Sequence, residues 1–249
     1  MTEPTVGWTL WAATVGFESP LEVRLEAAAS AGYQRLSLSP VDVVRSSEAG
    51  VGADALRRAA ESRDLRWILD PVVAWLPAGA ASRSPYARFP VSDVARMAEA
   101  LDAVSITAIA LTSKSHEIGV LAEHFAALCD AMPDIAVHLE FLPMSVVAHV
   151  ATAWDVVRTA DRDNGGILFD TWHFFRGNPD LEVLQDIPGD RIFGVQVSDA
   201  MAEPTGTLWD ETYHRLLPGD GESDLASVMS VLASIGGLSW VGPEVFSDA

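Results

Sequence analysis

The stretch GILFDTWHFF, residues 166–175, begins as an apolar strand and stops on Asp170, with His173 three residues later. Desolvating a carboxylate at the end of an apolar strand is costly unless a positive group or hydrogen-bond donors meet it. Asp170 is therefore a helix cap, half of an ion pair or a metal ligand. The readings separate on whether neighbouring strands end the same way.

Outward from this stretch the chain alternates. Short runs rich in β-branched and bulky apolar residues occur at 6–15, 35–40, 66–75, 106–113, 135–143, 166–172, 191–199 and 240–247. Between them lie segments with Ala, Leu and Val at three- and four-residue spacing, at 20–32, 53–64, 93–104, 119–132, 145–160 and 224–237, plus a short one at 180–190 ending at Pro188-Gly189. Eight strands alternating with seven helices predict a parallel sheet closed into a (β/α)8 TIM barrel, with residues 1–249 as one domain. The eighth helix is missing after the last strand. Either the natural chain continues, or another subunit covers that face; the apolar outer surface around strands one and eight predicts a homo-oligomer, a dimer at least.

Composition narrows the partners. The formal net charge is −19, with only 16 Lys and Arg and no basic run, which excludes nucleic acid and anionic membranes as main partners. A small-molecule substrate fits. No apolar run is long enough to span a bilayer, the start MTEPTVGW lacks the features of a secretory signal, and one cysteine suits a reducing compartment, so a soluble cytoplasmic protein is expected. Cys129, inside HFAALCDAM, reads as a packed thiol rather than a nucleophile.

In TIM barrels the chemistry lies at the C-terminal ends of the strands. Strand five ends at Glu140 and strand six at Asp170, strand seven carries Gln196 before Asp199, and strand eight carries Glu244. Side-chain alternation places His138 and Glu140 on one face of strand five and Leu168 and Asp170 on one face of strand six, with Leu139, Phe141, Ile167 and Phe169 pointing out under helices. Four adjacent strands thus aim three carboxylates and an amide oxygen at one spot. Ionised carboxylates share a small pocket only if a cation neutralises them, so Glu140, Asp170, Gln196 and Glu244 read as ligands of one divalent metal. Taken singly, each acid reads equally well as a helix cap or an arginine partner.

The motifs LEFLP (139–143), DTWHFFRG (170–177), VQVSDA (195–200), RLLPGDG (215–221) and PEVFSD (243–248), in that order, resemble the xylose-isomerase-like barrels of sugar phosphate isomerases and epimerases, a group that includes the related 3-dehydroshikimate and inosose dehydratases. The resemblance implies a metal held by Glu140, Asp170, the strand-seven residue and Glu244. In the epimerases the strand-seven ligand is usually histidine; Gln196 matches some of the dehydratases instead. An all-oxygen donor set favours Mn²⁺ or Mg²⁺ over Zn²⁺ or Co²⁺. The resemblance also implies that His173 faces substrate, against the alternative of a satisfied core histidine. For Arg215 it implies contact with an anionic group, against the alternative of a surface pair with Asp210 or Glu211. Lys114 and His116, after strand four, are further candidate substrate contacts unless they are simply solvated.

Three functions compete. The first is an isomerase or epimerase of a polyhydroxylated carbonyl compound, in which Glu140 and Glu244 take and return a proton α to a metal-bound carbonyl. The second is a dehydratase that expels a β-hydroxyl after the same abstraction. The third is a non-catalytic binding barrel. Walker loops, the G-x-S-x-G elbow and paired C-x-x-C motifs are absent.

Overall fold

The computed structural model describes residues 6–76, 84–112, 114–204 and 206–246. Eight parallel strands, β1 (Gly7–Leu10), β2 (Arg35–Leu38), β3 (Arg66–Val72), β4 (Ser105–Ile109), β5 (Ala136–Glu140), β6 (Gly165–Asp170), β7 (Ile192–Val197) and β8 (Trp240–Pro243), pair in sequence order, and β8 closes on β1. The helices are α1 (Leu21–Ser30), α2 (Pro40–Glu48), α3 (Ala53–Glu61), α4 (Val91–Leu101), α5 (Ile118–Asp130), α6 (Val150–Ala160), α7 (Thr171–Arg176), α8 (Leu181–Gln185), α9 (Leu208–Glu211) and α10 (Leu225–Ile235). No helix follows β8 among the described residues. None of the helices there is long and apolar enough to cross a membrane.

The predicted alternation is present. Leu139, Phe141, Ile167 and Phe169 lie fully buried in the main core between barrel and helices, whereas Leu168 packs with Trp11 and Ile68 in a separate cluster inside the barrel. Cys129 is a buried free thiol of the outer core, and burial raises it to about 12, which suppresses the thiolate. Closure of β8 on β1 requires very close backbone approach. A Cβ at Gly242 would lie 1.6 Å from the Thr9 carbonyl oxygen, so only glycine fits there.

The periodic pattern did not single out α2, α7 and α9. The first of these has a clear local cause in the sequence. Ser39 caps α2 by accepting from the Asp42 N–H at 3.1 Å, while Asp42 accepts from the Ser39 N–H, and Pro40 starts the helix. Asp42 also binds Arg24 on α1. Its two oxygens take both terminal nitrogens of that guanidinium, at 2.9 and 3.2 Å, in a pair that is 3 % and 8 % exposed. Burial pushes the Asp42 carboxyl up, but the Arg24 guanidinium and the Ser39 donors outweigh it and hold the carboxyl below its ordinary value.

Because breaking one half strands the other as a buried charge, Asp42→Ala should destabilise the fold by about 3 kcal/mol in urea titrations. A carboxyl depressed in the folded state stabilises fully above the unfolded value of 3.8, and that contribution is lost as pH falls through the folded value. The wild-type advantage over Asp42→Ala should therefore shrink in acid and stay level above neutrality.

Candidate metal centre and active site

Each strand-end residue arrives by the same local logic: an inward position two residues past the previous inward residue of its strand, His138, Leu168, Gly194 or Gly242. Glu140, Asp170, Gln196 and Glu244 are 6 %, 0 %, 0 % and 8 % exposed. Asp170 pairs in register with Gln196 and Gln196 with Gly242, which brings β6, β7 and β8 together at the mouth. One ligand atom each from Glu140, Asp170 and His173 lies within 4.8 Å of the others. The Gln196 amide is buried with neither its oxygen nor its nitrogen in a hydrogen bond. An orphaned amide oxygen beside a carboxylate cluster fits a divalent cation.

Asp170 divides its oxygens. Oδ1 accepts the His173 backbone N–H at 2.8 Å and so caps α7, and Oδ2 accepts from Arg215 at 2.7 Å. The same Arg215 nitrogen reaches the Glu244 carboxylate at 3.0 Å. The cap and ion-pair readings of this aspartate thus hold together, and the alternative pairing of Arg215 with Asp210 or Glu211 is excluded. Glu211 is clasped by Arg176 at 2.6 and 2.8 Å, and Asp210 bonds Thr207. The expected cation among the three carboxylates is met in part by the chain itself, because Arg215 pairs with Asp170 and Glu244. Its guanidinium lies 5.1 Å from the Trp172 ring and 4.9 Å from Phe246, which exclude water from it.

These charges shape the titrations. Burial raises the Asp170 carboxyl, but Arg215, the His173 ring and the His173 N–H bring it below its ordinary value. Burial raises Glu244 as well, and there burial together with repulsion from Glu140, Asp170 and Asp70 outweighs the Arg215 charge, leaving the carboxyl well above the usual range. For Arg215, burial lowers the value but Asp170, Glu244 and Glu140 raise it further, so it stays charged. His173 stands 3.1 Å from Glu140 through Nε2, inside the carboxylate cluster rather than in the outer core.

Lys114 is exposed and His116 half-buried on the loop after β4; among the described residues neither side chain bonds to the carboxylates. Asp199, after β7, is a support. It accepts the N–H groups of Ala200, Gly219 and Ser223 at 2.8, 3.1 and 3.1 Å, and its backbone pairs with Leu216 in both directions at 2.9 Å. It thereby anchors the loop that delivers Arg215. Gly221 is needed for this, since a Cβ there would lie 2.4 Å from Asp199 Oδ1. The Arg176–Glu211 clasp and inward-facing Asp70 on β3 were not foreseen. Asp70 carried the same signal as Asp170, an acid closing an apolar strand, in RWILDP.

The sequence profile of the xylose isomerase-like TIM barrel matches residues 25–249. The chain belongs to that family. Among curated relatives, an inosose isomerase of Bacillus licheniformis is 38 % identical over 112 residues, which is 45 % of this chain and 40 % of that protein. A 3-dehydroshikimate dehydratase of Pseudomonas putida is 34 % identical over 103 residues, 40 % of this chain and 16 % of that protein. The matched segments span well under half the length of these relatives. The fold also superposes on the IOLI protein with a bound zinc atom at a TM-score of 0.85, with 23 % identity over 97 % of this chain and 90 % of that one. L-ribulose 3-epimerase gives 0.73 at 17 % identity, over 98 % and 82 % of the two chains.

Removing the Asp199 anchor should unseat Arg215 more than it harms the barrel. Asp199→Ala should cost about 2 kcal/mol through its three stranded N–H groups. Amide exchange in residues 217–223 should accelerate while that of the β-strands rises far less. Uniform acceleration across the barrel would contradict the assignment.

Proposed function

We propose that this protein is a divalent-metal-dependent isomerase or epimerase of a polyhydroxylated carbonyl compound. The observation that carries the reading is the convergence of Glu140, Asp170, Gln196 and Glu244 around an amide oxygen left without a partner in a buried mouth. These four residues would hold the ion. Mn²⁺ or Mg²⁺ suits their hard oxygen donors, with the His173 ring the one softer donor in the cluster. A divalent cation bound there polarises a carbonyl and acidifies the adjacent C–H.

The chain's own groups supply the rest. Glu140 on β5 and Glu244 after β8 flank the two strands that carry Asp170 and Gln196, so they address a substrate from two sides. Glu140 removes a proton from one face of the carbon, and Glu244 returns one to the other. Arg215 keeps Asp170 ionised throughout. Trp172, Phe246 and the buried strand ends keep water from the proton in transit.

A second reading, dehydration of a ring ketone, shares the abstraction step. It draws on the likeness to 3-dehydroshikimate dehydratase and on the glutamine at position 196. Incubation with an inosose, 3-dehydroshikimate and keto-hexoses separates the two, since dehydration creates conjugated ultraviolet absorbance and epimerisation does not. Glu140→Gln and Glu244→Gln should each reduce turnover by about 10²-fold or more. A barrel that binds without catalysis would show no turnover with any metal and would tolerate both substitutions.

Metal affinity by calorimetry tests the ligand set directly. Asp170→Asn should weaken Mn²⁺ most, Gln196→Ala by about tenfold, and Gln196→His should shift preference towards Co²⁺ or Zn²⁺. Wild-type affinity in Gln196→Ala would remove Gln196 from the set. Chelation should lower the melting temperature by the linked binding energy, about 2.7 kcal/mol at a metal concentration one hundred times Kd. Arg215 limits any further loss by meeting two of the carboxylates itself.

A second copy is expected against the face around β1 and β8, where Trp8 is 49 % exposed. Light scattering should give a dimer or larger, and a monomer at micromolar concentration would overturn this.

A further inference from the structure

Asp70 takes no part in the scheme above, yet it stands at the level of the metal-site acids. Ile68 and Leu168 pack against Trp11 in one cluster inside the barrel. Two residues further along their parallel strands come Asp70 and Asp170, both towards the mouth, and Asp70 lies close enough to Glu140 and Glu244 for their charges to act on one another. In the closed order of eight strands β3 lies four strands from β7, which sets Asp70 across the mouth from Gln196. The strand is irregular there. Its register with β4 shifts between Leu69 and Val72, as at many strand ends that aim a side chain into a site.

The surroundings lack anything to satisfy this group. Among the described residues Asp70 has neither a hydrogen bond nor an ion pair. Just past β3, at the end of β4 and just past β5, Val73, Ile109 and Leu142 form an apolar cluster with Tyr86 packed against it. Burial and the nearby Glu140 charge hold the Asp70 carboxyl well above the ordinary range, and the Asp70 charge helps burial to push Tyr86 up to about 12. A half-buried, unpartnered carboxyl beside an apolar wall is unfavourable until something pairs with it. Among the described residues, the buried arginines of the mouth are already committed, Arg215 to Asp170 and Glu244 and Arg176 to Glu211.

We infer that Asp70 binds a hydroxyl of the substrate on the wall opposite Gln196, and that it selects uncharged polyhydroxylated ketones against ring ketones bearing a carboxylate. A carboxyl group accepts from or donates to a hydroxyl in either protonation state. A substrate carboxylate placed there meets the unpartnered Asp70 carboxyl and the nearby Glu140 charge, with no uncommitted buried arginine among the described residues to answer it. The inference rests on the reading of the site as one for polyhydroxylated carbonyl compounds and names which of them it takes.

The test compares metal-loaded wild type, Asp70→Ala and Asp70→Asn on an inosose and on 3-dehydroshikimate, with melting temperatures as the folding control. A hydrogen bond to this group corresponds to about 10- to 100-fold in binding. Asp70→Ala should raise KM for the inosose by about tenfold or more, with the smaller share of the loss in kcat, and Asp70→Asn should recover part of it. The wild-type preference for the inosose over 3-dehydroshikimate in kcat/KM should narrow by about tenfold in Asp70→Ala. An unchanged KM or an unchanged preference in a folded Asp70→Ala overturns the inference and leaves the isomerase reading standing. If the wild type turns over neither ketone nor any keto-hexose, that reading falls. The role of Asp70 is then decided by calorimetry with myo-inositol, an unreactive neutral polyol: a Kd raised about tenfold in Asp70→Ala supports it, and equal Kd values or no binding overturn it.

Discussion

Arg215 reaches Asp170 at 2.7 Å and Glu244 at 3.0 Å from a loop that crosses the barrel mouth, and all three side chains are almost fully buried. Gathering Glu140, Asp170 and Glu244 in one dry pocket would be prohibitive without a resident positive charge, because each ionised carboxylate raises the cost of the next. The guanidinium lifts part of that cost before any metal arrives. The remaining architecture serves to put it there. Asp199 and Gly221 shape the loop, Arg176 and Glu211 tie it to α7, and Phe246 and Trp172 flank the charged head.

That arrangement unites readings that compete at the level of a single residue. Asp170 caps α7 through one oxygen and pairs with Arg215 through the other, and the proposed metal would add a third demand on the same carboxylate. The coupling of cap, ion pair and ligand ties the helix that presents His173 to the charge state of the site. It also explains why the stretch from Asp170 to Gly177 is so dense in function. Its aspartate faces the mouth, its histidine reaches Glu140, and its arginine clasps Glu211.

The likeness to an inosose isomerase and to a 3-dehydroshikimate dehydratase leaves two outcomes for one abstraction step. The proposed metal ligands would not choose between neutral and acidic substrates, since both kinds present a carbonyl and an adjacent C–H. Under the proposed function the choice would fall to groups on the far wall, where β3 and β4 meet and Asp70 stands.

The barrel and the strand-end acids were legible in the sequence because both depend on local periodicity. A period of two decides which side chains of Val137 to Phe141 and Ile167 to Asp170 face inward, and parallel strands joined by helices all end at the same mouth. The capping box at Ser39 to Asp42 was equally local, though the weak apolar pattern of α2 hid it. Charge partners were not legible, since they depend on the path of loops. Arg215 lies 45 positions from Asp170, and Arg176 lies 35 from Glu211. Asp210 and Glu211 were nearer in sequence to Arg215 than its true partners, and only the closed barrel with its anchored loop decided otherwise. Position along the chain sets which way a strand residue points; which charges meet is set by three-dimensional proximity and desolvation, and those exist only once the barrel has closed.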